Sequence, residues 1–98
     1  MMIYGIDPGV TGAISVMVNG DLLDVRDMPT REEGSGTVKR RACAAGLAAI
    51  VREWRVQFGP DAELAVIERV AAMPQQGVAS VFSLGHSAGV AESVMLAL

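Results

Sequence analysis

Apolar and polar positions along the chain change period several times, and each change marks an element. Residues 2 to 7, MIYGID, form a short apolar run that ends in an acid. The Asp7-Pro8-Gly9 that follows is turn chemistry, because Pro presets φ and Gly accepts conformations closed to other residues. Residues 12 to 18, GAISVMV, resume a strand-like run, and Asn19-Gly20 supplies the two-residue signal of a hairpin. Residues 22 to 28, LLDVRDM, alternate, with Leu23, Val25 and Asp27 on one face and Leu22, Asp24, Arg26 and Met28 on the other. Three strands joined by tight turns predict an antiparallel meander.

Residues 29 to 37, PTREEGSGT, read as a loop. From about 38 to 58 the spacing of Leu47, Ile50, Val51, Trp54 and Phe58 predicts an amphipathic helix, stopped by Gly59-Pro60. Residues 63 to 68, ELAVIE, hold a continuous apolar run suited to a strand covered on both faces, ending in a second acid. PQQG at 74 to 77 breaks the pattern. Residues 78 to 98 read as a helix with Val78, Val81, Phe82, Gly85, Ala88, Gly89, Glu92 and Met95 on one stripe. Glycine costs about 1 kcal/mol relative to Ala inside a helix, so close approach of another backbone is expected at Gly85 and Gly89. The order strand, strand, strand, helix, strand, helix predicts an α/β fold: a mixed sheet in one domain spanning residues 1 to 98, with the fourth strand parallel to one of the meander.

Composition is that of a folded chain: 51% of residues are hydrophobic, but only 4% aromatic, so aliphatic side chains must build the core. The single cysteine, Cys43, has no intramolecular disulfide partner, which fits a reducing, cytoplasmic setting with this thiol buried and inert. With an acid at position 7 and no 18-residue apolar run, neither a secretory leader nor a membrane span is expected. The net charge of −3 weighs against a polyanionic partner, although Arg31, Lys39, Arg40 and Arg41 cluster. The last three read first as a solvated helix start and second as phosphate contacts.

Asp7 and Glu68 each end an apolar strand. If the first and fourth strands are parallel neighbours, about 4.8 Å apart, two carboxylates converge at one sheet edge. Hard oxygen ligands so placed suit Mg²⁺. Asp21, Asp24, Asp27, Asp61 and Glu63 read instead as turn or surface acids, and the lone His86 as structural.

Residues 3 to 12, IYGIDPGVTG, resemble the first-strand motif of RuvC-like Holliday-junction resolvases, where a GIDPG core places the first catalytic aspartate. Residues 66 to 89, VIERVAAMPQQGVASVFSLGHSAG, resemble that family's second motif: a strand ending in a catalytic Glu, a loop, and a helix with small residues. The phage-type branch is most similar. The resemblance implies a five-stranded ribonuclease-H-like sheet and a structure-specific endodeoxyribonuclease that cleaves branched DNA as a homodimer. It further implies two metal ions, Mg²⁺ with Mn²⁺ as a substitute, held by four acids: Asp7 would bridge both ions and Glu68 would bind one. The other two acids and the fifth strand have no counterpart in these 98 residues, so little or no cleavage is expected of the chain alone. Arg69, Gln75, Gln76, Ser80 and Ser83 surround the expected metal edge and are candidate DNA contacts.

Two other readings compete. The DPGVTG turn also resembles the phosphate-binding hairpin of sugar kinases and related ATPases, for which measurable ATP binding is the discriminating observation. A non-catalytic DNA-binding or dimerisation module would show junction binding or self-association without chemistry.

Overall fold

In the computed structural model, which describes residues 1–33, 39–69 and 77–98 and only the backbone at 33, 39 and 78–80, the expected meander forms from β1 (Met2–Asp7), β2 (Ala13–Val18) and β3 (Asp21–Asp27). β1 and β2 pair antiparallel from Met2 opposite Val18 to Asp7 opposite Ala13. Asn19 and Gly20 both have positive φ, 51° and 88°, the backbone that a two-residue hairpin with right-handed strand twist requires. β2 and β3 also pair antiparallel, but a bulge lets Met17 face Leu22 while Val16 faces Asp24. Leu23 is therefore the extra residue, and Leu22 moves to the face that Val25 and Asp27 occupy.

Next comes a hairpin, β4 (Thr30–Glu33) and β5 (Lys39–Ala42), before α1 (Ala44–Phe58), β6 (Glu63–Ile67) and α2 (Val78–Ala97). The hairpin corrects two expectations. Residues 30 to 33 are strand rather than loop, and Lys39, Arg40 and Arg41 lie in a strand rather than at a helix start. Charge marks this pairing only in part, since Glu32 lies opposite Arg40 while Arg31 lies opposite Arg41. α1 begins later, at Ala44, because Cys43 caps it: its Sγ accepts from the Gly46 N–H at 3.4 Å. Cys43 is thus half-buried and engaged, not fully buried.

The main sheet has the order β3-β2-β1-β6, with β6 parallel to β1. β1 is the central strand. β6 lies at the edge, and Leu64 and Val66 are 49% and 55% exposed, so the expectation that this strand is covered on both faces is corrected. Its apolar run reflects one buried face and one open apolar face rather than two buried ones.

Alternation along β1 and β2 sends Met2, Tyr4, Ile6, Ile14 and Val16 into the core with Leu47, Val51 and Trp54 of α1, all at most 4% exposed. Trp54 stacks on Tyr4 with ring centroids 6.2 Å apart. Its indole N–H donates to Asp24 at 3.0 Å, while the Arg26 guanidinium lies 5.5 Å above the ring. This satisfies the one polar atom that burying the indole would otherwise orphan.

α2 packs through Ser87, Ala91 and Val94 against α1, β5 and β6. That row differs from the predicted stripe. Phe82 is 70% exposed, and among the described residues a Cβ added at Gly85 or Gly89 would meet nothing within 4 Å, so no described backbone approaches these glycines. The helix is apolar nearly all round, and such a pattern specifies its buried face weakly. Among the described residues no helix is long and apolar enough to cross a membrane.

Candidate functional site

The site is built on the register between β1 and β6. Met2 lies beside Glu63 and Ile6 beside Ile67, and the Glu68 N–H donates to the Ile6 carbonyl at 2.9 Å, carrying the parallel ladder one step beyond β6. Asp7 and Glu68 consequently end neighbouring strands at the same sheet edge, one strand spacing of about 4.8 Å apart. Alternation assigns both to the face opposite the helices, with Ile3, Gly5, Leu64 and Val66. Both are exposed.

Behind Asp7 the turn is tightly tied. The Gly9 N–H donates to Asp7 Oδ1 at 3.4 Å, the Gly12 N–H to the Gly9 carbonyl at 2.8 Å, and the Met28 N–H to the Gly12 carbonyl at 2.9 Å. Any Cβ at position 12 would fall 2.1 Å from the Asp7 carbonyl oxygen. Glycine at 12 is thus a steric requirement for holding Asp7 where it is.

Four other acids are already engaged. Asp24 is bound by the Trp54 indole and by Arg26, Glu53 by the Arg26 fork at 2.8 Å, Asp61 by the amino terminus at 3.0 Å, and Glu63 by the Arg55 fork at 2.8 Å. These hydrogen bonds hold all four carboxyls below their ordinary values. Tyr4, whose hydroxyl donates to Glu63, is pushed up to about 12 by burial and then by that carboxylate. Asp7 and Glu68, by contrast, have no cationic partner among the described residues. Their charges are available for a ligand.

Of the other candidates, Arg69 is exposed one residue beyond Glu68, and Ser83 is half-buried on α2. Gln75 and Gln76, the side chain of Ser80 and Met73 lie outside the described residues. His86 is exposed on α2. Sequence reasoning passed over a further group. Ala13 faces Asp7 on one side and Asp27 on the other, so Asp27 shares the edge and face of the carboxylate pair at about two strand spacings, roughly 10 Å. Asp27 also lines an open cavity of about 510 Å³ with Thr11, Gly12, Thr30 and Arg40. Only the register reveals this, since those residues are scattered over thirty positions of sequence. Among the described residues no group of three or more His, Cys, Asp or Glu side chains could hold a metal ion.

No protein-family profile matches the chain, and no curated protein matches it.

Proposed function

We propose that these residues form the first four strands and two helices of a ribonuclease-H-like nuclease domain of the RuvC type, acting on phosphodiester bonds of branched DNA. The observation that carries this reading is the β1–β6 register, which sets the exposed, cation-free carboxylates Asp7 and Glu68 side by side at the carboxyl ends of two parallel strands. The crevice at that end of an open α/β sheet is where ligands bind. The strand order β3-β2-β1-β6, an antiparallel meander plus a parallel fourth strand, supports the ribonuclease-H-like topology.

The pair fits a divalent cation. Mg²⁺ takes hard oxygen ligands and keeps several of its waters, so one or two protein carboxylates suffice for a first site. Asp7 and Glu68 would hold it. A bound pair of ions supplies an activated water and stabilises the leaving oxygen. What this chain contributes is the placement of Asp7 by the Gly9–Gly12 turn and of Glu68 by the extended ladder. Homodimerisation is part of the same reading, supported by α2, where Phe82 and Leu96 stand 70% and 82% exposed at either end of a face containing Gly85 and Gly89. Location in the cytoplasm accords with the single half-buried thiol.

A magnesium titration by calorimetry, wild type beside Asp7→Asn and Glu68→Gln, tests the reading. Binding that either substitution abolishes is expected. Equal heats in all three proteins would overturn the assignment of the pair. Cleavage of a synthetic four-way junction by the 98-residue chain is expected to be weak or absent, because among the described residues only Asp7 and Glu68 end adjacent strands side by side, with Asp27 roughly 10 Å from Asp7.

A further inference from the structure

The cavity beside the carboxylate edge contains an arginine unlike the others whose contacts are resolved. Arg26 and Arg55 each grip a glutamate through a two-nitrogen fork. Arg40 donates its Nε–H to the Thr30 hydroxyl oxygen at 2.8 Å and has no carboxylate partner among the described residues. Four of its five N–H groups therefore remain to be bound. That single bond also orients the guanidinium plane, and because the Thr30 oxygen accepts it, the Thr30 hydroxyl proton is free to donate in turn. Thr11 adds a second hydroxyl to the lining. A planar cation held in place, with hydroxyls beside it and its terminal nitrogens without a partner among the described residues, is the donor set that recognises a phosphate oxygen pair.

We infer that the Thr11, Thr30 and Arg40 cavity is a phosphodiester-binding subsite, holding a backbone phosphate of a DNA strand that presents another phosphodiester, a few nucleotides along, to Asp7 and Glu68. This rests on the nuclease reading and deepens it. The distances agree. Asp27, in the same cavity, stands two strand spacings from Asp7, roughly 10 Å, while a DNA strand advances about 3.4 Å per nucleotide along its axis, so the two phosphates are a few nucleotides apart. The tied turn from Gly9 to Gly12 forms the wall between subsite and carboxylates, so both are fixed to one rigid element. Alongside Glu32, which lies opposite Arg40 in the β4–β5 ladder, Asp27 is the lining group that opposes an anion. It sets a sign for the test: neutralising Asp27 must strengthen phosphate binding, whereas a cation site in this cavity would be weakened by the same change.

The experiment is equilibrium binding of a fluorescein-labelled four-way DNA junction to the full chain at several salt concentrations without divalent metal. Wild type is compared with Arg40→Ala, Arg40→Lys, Asp27→Asn and Asp7→Asn. Arg40→Ala is expected to weaken binding roughly tenfold, the loss of a charge-assisted hydrogen-bond pair, and to lower the slope of log affinity against log salt by about one. Arg40→Lys should recover the slope but not the full affinity, because ammonium keeps the charge and loses the fork. Asp27→Asn should tighten binding several-fold. Arg40 is exposed, so its substitution should leave the fold intact, and circular dichroism checks that each variant is folded. Unchanged affinity and slope in Arg40→Ala, or weaker binding in Asp27→Asn, would overturn the subsite while leaving magnesium binding at Asp7 and Glu68 intact. Wild type that binds no junction overturns the subsite directly, and the magnesium titration then decides the nuclease reading separately.

Discussion

The two faces of the main sheet are made by the same strands and differ in almost every physical respect. On the helix side, Met2, Tyr4, Ile14, Val16, Leu47, Val51 and Trp54 are at most 1% exposed, and the polar atoms among them are bonded. On the other side Leu22, Val25, Leu64 and Val66 are about half exposed, and the edge ends in carboxylates with no cationic partner among the described residues. Stability is concentrated on the first face and uncommitted chemistry on the second. A residue's position in the two-residue period of a strand decides which of these roles it has.

The sharpest way to break this contrast is at Trp54. Trp54→Ala removes the largest buried side chain, its stacking on Tyr4 and the donor to Asp24, and should cost about 3–5 kcal/mol. Urea unfolding followed by circular dichroism reads it. A loss under about 1 kcal/mol would mean that the helix-covered face is not where stability resides.

Next in size is the Tyr4, Glu63 and Arg55 cluster on the same face. Tyr4→Phe removes a hydroxyl that donates to a carboxylate and should cost about 1–2 kcal/mol at neutral pH. The pH dependence has two limbs. The Arg55 fork holds the Glu63 carboxyl below its ordinary 4.5, so its contribution is present above that value and is lost as pH falls through the lower folded value. Tyr4 is raised from 10.0 to about 12, so its contribution is complete below 10 and is lost as pH rises towards 12. Stability curves should therefore lose part of their alkaline fall in Tyr4→Phe and part of their acid fall in Glu63→Gln, as measured by urea midpoints across pH.

Asp7→Asn should do the reverse of these: leave stability within about 0.5 kcal/mol, because no cation is stranded, while removing magnesium binding. A large loss of stability in this variant would reclassify Asp7 as a turn-forming residue.

The meander and the carboxylate pair were legible from the chain because both rest on local signals. Asn19-Gly20 dictates its hairpin, and Asp7 and Glu68 each end an apolar run before a turn. What escaped depends on pairing between distant residues. The β4–β5 hairpin has only four residues per strand, and its charge match of Glu32 with Arg40 lies across an intervening segment and beside the like-charged Arg31 and Arg41. The bulge at Val16 and Met17 shifts Leu22 by one face, which no period-two reading can foresee. The orientation of α2 failed for another reason: with apolar residues on every side, burial of Ser87, Ala91 and Val94 is decided by what α2 packs on rather than by its own pattern.

The smallest effect is expected on the open face, and it tests the contrast most severely. Val25 and Val66 are 53% and 55% exposed on the outer strands β3 and β6. Val→Thr keeps shape and β-branching and adds a hydroxyl. Where water reaches the side chain, that hydroxyl is solvated, and Val25→Thr with Val66→Thr should together change stability by about 0.5 kcal/mol or less. Under a covering layer the same two hydroxyls would lack partners at about 1–3 kcal/mol each. Urea unfolding of the double variant at two protein concentrations separates the cases. A small, concentration-independent change leaves the face open to water, as its exposure requires. A loss of several kcal/mol would mean that the face is covered in solution, and dependence of that loss on protein concentration would identify the cover as a second copy of the chain.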